Sequence, residues 1–589
     1  MTSFEYPAGR TIAGSWPEGD FAQDLERLTA ALQDWTIIRG PGWFIANEKK
    51  AFSADDDRMI VSTTSAHIMD REAAVLRDAP SLLDMLQARG ESALDDLAAP
   101  FRLLYVDCAE QRIVAATDPS GLGQLFMATS GGIFLCGSSA TLLANLIGAK
   151  PCLPSLAAFA QCGSFPFELT PFEGVTKLLA GSRLSIVHGK SRIYSVNTRL
   201  TAGDARTEFA SAVGALLEAA PGASLELSGG LDSRLILAAI PEICRVGRRA
   251  ITLSSGSRDD AEVNVARRIA RIAGLEHEIV PPSLASIDNA VDLSDLLHHV
   301  AEGYDHMANP LDKVALVLAG RSIAQESPRF GGQNGEIIRG FYYPLQAIEE
   351  QASAAQIDRL VNWRLMANDR VAPWLFSARG KLALKEATNA LKQRLASFDG
   401  QWGKALDRIY LRYRMQSWAG AAVSNRFIGH SILWPFFDER FLAAAMAVPP
   451  AEKRGSSAAY RMLAALDPML AEVPLDNGVV PIQMLKGGPI ALIGGAVRKV
   501  AKALHKIAQR IRPASTAVMG SDALLEKWHD LGCYRTLDVA GLAKLGLFEE
   551  ASLVQITSGA RRADRATLGF LLLCDGLVRN GRCAMGTSS

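Results

Sequence analysis

The stretch Leu225-Glu226-Leu227-Ser228-Gly229-Gly230-Leu231-Asp232-Ser233-Arg234-Leu235 constrains this chain more than any other. An apolar run from Ala223 predicts a short buried strand, and Arg234–Ile240 predicts the first turns of a helix. Strand, tight loop and helix N-terminus gather backbone N–H groups and the positive end of the helix dipole around one point, which suits a bound anion. Gly229 and Gly230 let the backbone approach that anion, because no Cβ intervenes. Ser228 and Ser233 add hydroxyl donors, and Asp232 is a hard oxygen ligand of the kind Mg²⁺ takes. No Lys follows the glycines, so the pattern is not the Walker phosphate loop. Taken alone, the same string is a glycine turn before a capped helix, so its surroundings decide between the two.

A second strand, Ala250–Ser254, runs into Ser255-Gly256-Ser257. The next segment is apolar at Val263, Ala266, Ile269, Ala270 and Ala273 and closes at Gly274, the pattern of an amphipathic helix. Glu276–Val280 is a third strand. Strands alternating with helices imply a doubly wound parallel sheet with ligands beyond the strand C-termini. Ser228–Ser233 and the turn at Ser254 then lie side by side there, and His277 reads as a structural residue at a strand entry. Further on, Phe330-Gly331-Gly332-Gln333-Asn334-Gly335-Glu336-Ile337-Ile338 reads as a strand end, a polar turn and a helix start. It is either a second phosphate and metal turn or merely a helix cap.

Residues 1–195 predict a β-rich domain, with strands at Trp43–Asn47, Met59–Ser62, Phe101–Asp107, Arg112–Thr117 and Gly132–Cys136 between turn signals. The stretch from Ile357 to Met446 reads as helical, with Trp363-Arg364, Trp402, Tyr410, Arg412-Tyr413-Arg414 and Trp418 interleaved along it. Such stripes are core and salt-linked faces or a peptide-binding surface. Residues 497–512 form a basic amphipathic pattern: a solvated face, or a dock for a partner or a membrane surface. Lys+Arg and Asp+Glu are equal at 62 each, so no global field favours nucleic acid. No apolar run reaches the roughly 18 residues of a membrane span, no signal peptide is evident, and the eight cysteines lack C-x-x-C spacing. A reducing cytoplasm is expected.

The string Ser-Gly-Gly-Leu-Asp-Ser at 228–233 resembles the pyrophosphate loop of the ATP-pyrophosphatase superfamily, and the surrounding landmarks resemble its asparagine synthetase-like branch. Thr117-Asp118-Pro119-Ser120-Gly121 and Gly137-Ser138-Ser139 are similar to segments of that branch's glutaminase-like domain, and Thr170–Ser182 is similar to the segment by which it passes into the synthetase domain. Trp434-Pro435-Phe436-Phe437-Asp438 and Tyr460-Arg461 are similar to landmarks of its synthetase domain. The resemblance implies an Ntn-hydrolase-like sandwich over residues 1–200, an adenine-nucleotide synthetase domain over 201–512 and a helical extension over 513–589.

It also implies a site. ATP is held by Leu227, Ser228, Gly229, Gly230, Asp232, Ser233, Ser254, Gly331 and Gly332; Mg²⁺ is held by Asp232 and Glu336; and Lys486, Glu336 and Arg461 carry catalytic roles. Two residues usual in the family's synthetase domain are missing. Gly335 stands where a metal-binding Asp is usual, and the Lys expected one turn before Arg461 falls near Ser457, leaving Lys453 and Lys486 as substitutes. A working glutaminase of the family exposes a Cys at position 2, where this chain has Thr2. The N-terminal domain is therefore expected to be a scaffold, with glutamine not the nitrogen source.

Among family branches without that Cys, the lasso-peptide cyclases are the best match. They adenylate an Asp or Glu side chain of a precursor peptide, whose own N-terminal amine displaces AMP. The expected partners are that peptide and a leader-peptide-binding protein or protease. A β-lactam-forming or other small-molecule synthetase is the alternative, and an inactive peptide-binding scaffold is the alternative of another class.

Overall fold

The computed structural model describes residues 9–19, 21–49, 52–55, 59–63, 67–195, 203–254, 260–281, 287–323, 328–344, 346–366, 370–427, 432–486 and 521–586. Thr2, the turn from Ser255 to Gly256 and the basic segment 497–512 lie outside the described residues.

The N-terminal part is two six-stranded antiparallel sheets stacked face to face. Ala13, Ile45, Leu104, Val106, Ala115 and Cys136 fill the space between them. Helix Ala79–Arg89 covers the outer face of one sheet through Leu82, Leu83 and Leu86. Helices Ala140–Ile147 and Leu153–Cys162 cover the other, against Ile12, Phe44, Phe126 and Leu135. Sheets covered on both faces cannot show polar alternation, and Thr11–Ser15 and Trp43–Asn47 are buried at every position.

The second unit is a five-stranded parallel sheet. Its spatial order is Glu276–Val280, Arg249–Leu253, Ser224–Glu226, Arg329–Phe330 and Ile432–Leu433. In chain order this is 3-2-1-4-5, the doubly wound arrangement. The topological switch point falls between Ser224–Glu226 and Arg329–Phe330, which pair through Leu225 and Phe330. Helices Ala205–Ala219, Asp232–Ala239 and Ala261–Ile272 bury Phe209, Leu235 and Ile269 in the core on these strands.

The reading of 357–446 as helical needs one correction, because Ile432–Leu433 is the outermost strand of this sheet. Two residues inside a helix-like apolar pattern carry no periodicity of their own.

The described C-terminal residues 521–586 are largely helical and pack into the core. Helix Arg565–Gly586 buries Phe570, Leu571, Leu572 and Leu573, and Phe570 stacks on Phe159 of the N-terminal unit at 6.0 Å between centroids. Among the described residues no helix is long and apolar enough to cross a membrane.

Candidate active site

The Ser228–Ser233 loop follows the Ser224–Glu226 strand directly, and helix Asp232–Ala239 starts inside it. Leu227 N–H donates to Ile251 O at 2.8 Å, holding the strand end in the sheet. Ser233 Oγ accepts from Ser228 N–H at 3.0 Å and lies 3.1 Å from Ser228 Oγ, which accepts from Gly230 N–H at 3.2 Å. The two serines thus brace the loop from within. Arg234 is fully buried behind it and donates to Leu470 O, Val473 O and Pro474 O, at 3.3, 2.5 and 3.0 Å. Gly229 is where chain crowding requires no side chain: a Cβ there would stand 3.0 Å from both Asp476 Cβ and Glu262 Cα.

The second turn meets the first. Gly331 N–H donates to Leu433 O at 3.0 Å, and a Cβ on Gly332 would lie 3.3 Å from Ser233 N. Asn334 is left-handed at φ 75° and donates to Phe436 O at 2.7 Å. Glu336 lies in the single helical turn Gly335–Ile338.

Asp232 and Glu336, 104 positions apart in sequence, are joined by Arg339. Its guanidinium is 2.6 Å from Asp232 Oδ2 and 3.6 Å from Glu336 Oε1. Tyr410 O–H donates to Glu336 Oε2 at 2.8 Å. Burial pushes the Asp232 carboxyl up to about 7; Arg339 pulls it back, and the Glu336 charge adds to the rise. Burial, reinforced by Glu336, holds the Tyr410 phenol well above its ordinary value, so it stays a donor.

Asp232 Oδ1, Gln333 Oε1 and Asn334 Oδ1 are buried with no hydrogen-bond partner among the described residues. Hard oxygens left unsatisfied at a carboxylate pair are the donor set of Mg²⁺, which needs one or two protein carboxylates beside phosphate and water. The residues fit that ion. Gly335 does not leave a gap for an Asp, however. A Cβ there would stand 2.4 Å from Asp232 Oδ1, so the Asp232 carboxylate already fills the space.

The other expected residues divide. Ser254 is buried at the end of its strand, its N–H donating to Val280 O at 3.2 Å. His277 Nε2 and Thr252 Oγ1 are 2.7 Å apart, and Thr252 donates to Leu227 O at 2.7 Å, so His277 braces the strand ends. Arg461 is half exposed and pairs with Glu452 at 2.7 Å, on the outer side of helix Ser457–Leu466. Lys486 is exposed just beyond helix Pro481–Leu485. Lys453 is fully buried, donating to Asp407 Oδ2 at 2.6 Å beside Tyr343 O–H, which donates to the same oxygen at 2.9 Å. The geometry therefore gathers Leu227–Ser233, Gly331, Gly332 and Glu336, and sets Arg461 and Lys486 on exposed surface. Arg339 was missed by sequence reasoning, and Tyr410 was named only as part of an aromatic and Arg stripe, not as a partner of Glu336. The one available signal for Arg339 is a lone charge between Ile338 and Gly340 in an otherwise apolar run.

A glycine- and serine-bearing loop and an acidic turn thus meet at the sheet's switch point, where doubly wound sheets take their ligands. Residues 204–325 match the family model for asparagine synthase, which makes this segment an asparagine synthetase-like domain. The chain is accordingly an ATP-dependent amide-bond-forming ligase, of the kind that yields AMP and pyrophosphate. No curated protein sequence matches the chain. Two solved structures are similar over part of it. "Structure of the allosteric regulatory enzyme of purine biosynthesis" shares 12% identity, covering 46% of this chain and 81% of that one, with a TM-score of 0.23. Glutamine phosphoribosylpyrophosphate amidotransferase from B. subtilis, complexed with ADP and GMP, shares 11%, covering 48% and 88%, with a TM-score of 0.23.

Proposed function

We propose that this chain closes a macrolactam in a precursor peptide, as lasso-peptide cyclases do. A side-chain carboxylate oxygen of Asp or Glu attacks the α-phosphorus of ATP, and the bond to pyrophosphate breaks. The peptide's N-terminal amine then attacks the acyl carbon, the bond to AMP breaks, and the amine proton passes to water.

The observation that carries the reading is the contact of the two loops at the switch point, with Asp232 and Glu336 bridged by Arg339. Backbone N–H groups of Gly229–Ser233 and the serine hydroxyls hold the leaving phosphates, and the low-dielectric surroundings strengthen each contact. Asp232, Glu336 and Asn334 would hold Mg²⁺, which when bound neutralises charge on the pyrophosphate. Holding amine and acyl carbon at near-attack distance removes roughly 7–11 kcal/mol of barrier from a flexible peptide.

The test is mass spectrometry on purified protein with ATP, Mg²⁺ and a leaderless peptide carrying an internal Glu. The expected product is one water lighter than the peptide, with AMP and pyrophosphate in equal amounts. N-acetylation should block the ring, and the Gln peptide should release no pyrophosphate. Ring formation from the acetylated peptide would defeat the proposal. Cyclisation of a small β-amino acid with peptides ignored would install the β-lactam alternative.

A further inference from the structure

Beyond the nucleotide loops, the contacts continue along one line. Phe341 packs on Tyr410 at 5.4 Å between centroids and on Tyr342 at 5.0 Å. Arg414 lies over Phe341 at 4.7 Å and over Trp418 at 4.6 Å. Arg364 lies over the same Phe341 ring at 5.1 Å and over Tyr342 at 5.8 Å, its guanidinium also donating to Phe341 O at 2.7 Å. Tyr410, Arg414 and Trp418 follow one another at intervals of four and share a helix face.

Both arginines sit in π-helical segments, Val361–Leu365 and Tyr410–Ala419. Wide turns of this kind are rare and concentrate at functional sites. Trp363 and Trp418 beside them are 42% and 37% exposed.

Two guanidiniums thus share one aromatic ring. Two like charges on one ring, partly withdrawn from water, are relieved by an anion that pairs with them. Aromatic faces fix their planes, which preorganises the forks for a carboxylate. Every other feature of the line points back to the nucleotide loops through Tyr410 and Glu336.

We propose that Arg364 and Arg414, held over Phe341, seat an acidic side chain of the substrate peptide and so determine which peptides this ligase accepts. The inference rests on the macrolactam reading for the word peptide, and on its own geometry for the word acidic.

The test is fluorescence anisotropy on the full-length protein without nucleotide. The probe is a rhodamine-labelled peptide Gly-Ser-Glu-Phe-Glu-Ser-Gly, compared with its twin carrying Gln for both Glu. The glutamate peptide should bind about ten-fold tighter or more, the scale of a hydrogen bond between charged groups. In the double variant Arg364→Gln/Arg414→Gln the preference should fall to about two-fold or less. Lysine at both positions should keep most of it, and circular dichroism checks folding. Should the glutamine double variant not fold, loss of the wild-type preference at high salt and its retention in the lysine variant decide the question. Equal binding of both peptides by the wild type, or an undiminished preference in the folded glutamine variant, would overturn the proposal. Displacement of the acidic peptide by ATP alone would assign the arginines to nucleotide phosphate instead. A retained preference without ring closure would defeat the macrolactam reading alone, and ring closure without any preference would defeat the arginine assignment alone.

Discussion

Restoring the family's usual Asp at position 335 should damage this protein. Gly335 has ordinary right-handed backbone in the turn Gly335–Ile338, so nothing in its conformation demands glycine. By helix propensity alone, Ala there would be worth up to about 1 kcal/mol. Space decides otherwise. A Cβ would stand 2.3 Å from Asp232 Cγ and 2.4 Å from Oδ1, against a comfortable separation of about 3.5 Å. The carboxyl would have to retreat by about 1 Å, away from its 2.6 Å contact with Arg339. Overpacking of this kind costs about 1–3 kcal/mol. If that cost falls on the nucleotide-bound state, exchange slows by about 5- to 150-fold. Gly335→Asp should be worse than Gly335→Ala, because it adds a third carboxylate beside Asp232 and Glu336. The assay is ATP–pyrophosphate exchange beside a thermal melt. Gly335→Asp exchanging as fast as wild type, with an unchanged melt, would refute the packing argument and make position 335 a lost metal ligand that can be reinstated.

Asp232→Asn should abolish exchange while keeping the fold, with a lowered melt because Arg339 loses its 2.6 Å partner and keeps only Glu336 at 3.6 Å; near-normal exchange would remove Asp232 from the site. Arg339→Met leaves the Asp232 carboxylate unpaired and should cost stability in urea melts, toward the low end of about 3–5 kcal/mol because the group can shed its charge by protonation. An unchanged midpoint would show the pair to be idle. His306 is buried with neither ring nitrogen hydrogen-bonded among the described residues, near His298, whose own ring pairs with Asp575. Burial, then the neighbouring His298, lowers its pKa to about 3 from 6.5. Between those values the unfolded chain binds the extra proton, so stability rises with pH through this window and is lost on acidification, by up to about 1.4 kcal/mol per pH unit. His306→Phe should therefore lose less in melting temperature between pH 7 and 5 than the wild type; parallel curves would refute this.

What the sequence discloses about the fold depends on whether an element keeps a period. Ala261–Ile272 does, with Val263, Ala266, Ile269 and Ala270 buried and charges elsewhere, and it is legible to within two residues. Ser224–Glu226 and Arg249–Leu253 are legible because in the sequence each runs into a polar, glycine-bearing stretch. Thr11–Ser15 is buried along its whole length between a sheet and a helix layer, and its small residues offer no alternation to detect. Ile432–Leu433 is too short to show any period and earns strand status only by pairing with Arg329–Phe330.

The site shows a different limit. Residues that bind through the backbone announce themselves locally, since Ser228–Ser233 must be small, polar and glycine-bearing to form its loop at all. Residues that act by charge at a distance do not. Arg339 matters because it lies between Asp232 and Glu336, and Tyr410 because it reaches Glu336 from 74 positions away. The same distinction explains why the sequence points to Gly335 for the wrong reason. Compared with a motif, it is an aspartate missing; in the folded chain it is the gap into which the Asp232 carboxylate fits. A guanidinium on one oxygen of that carboxylate and an unsatisfied second oxygen leave half its hydrogen-bonding capacity for a ligand. Arg339 thus limits the cost of burying the Asp232 charge while leaving its second oxygen open.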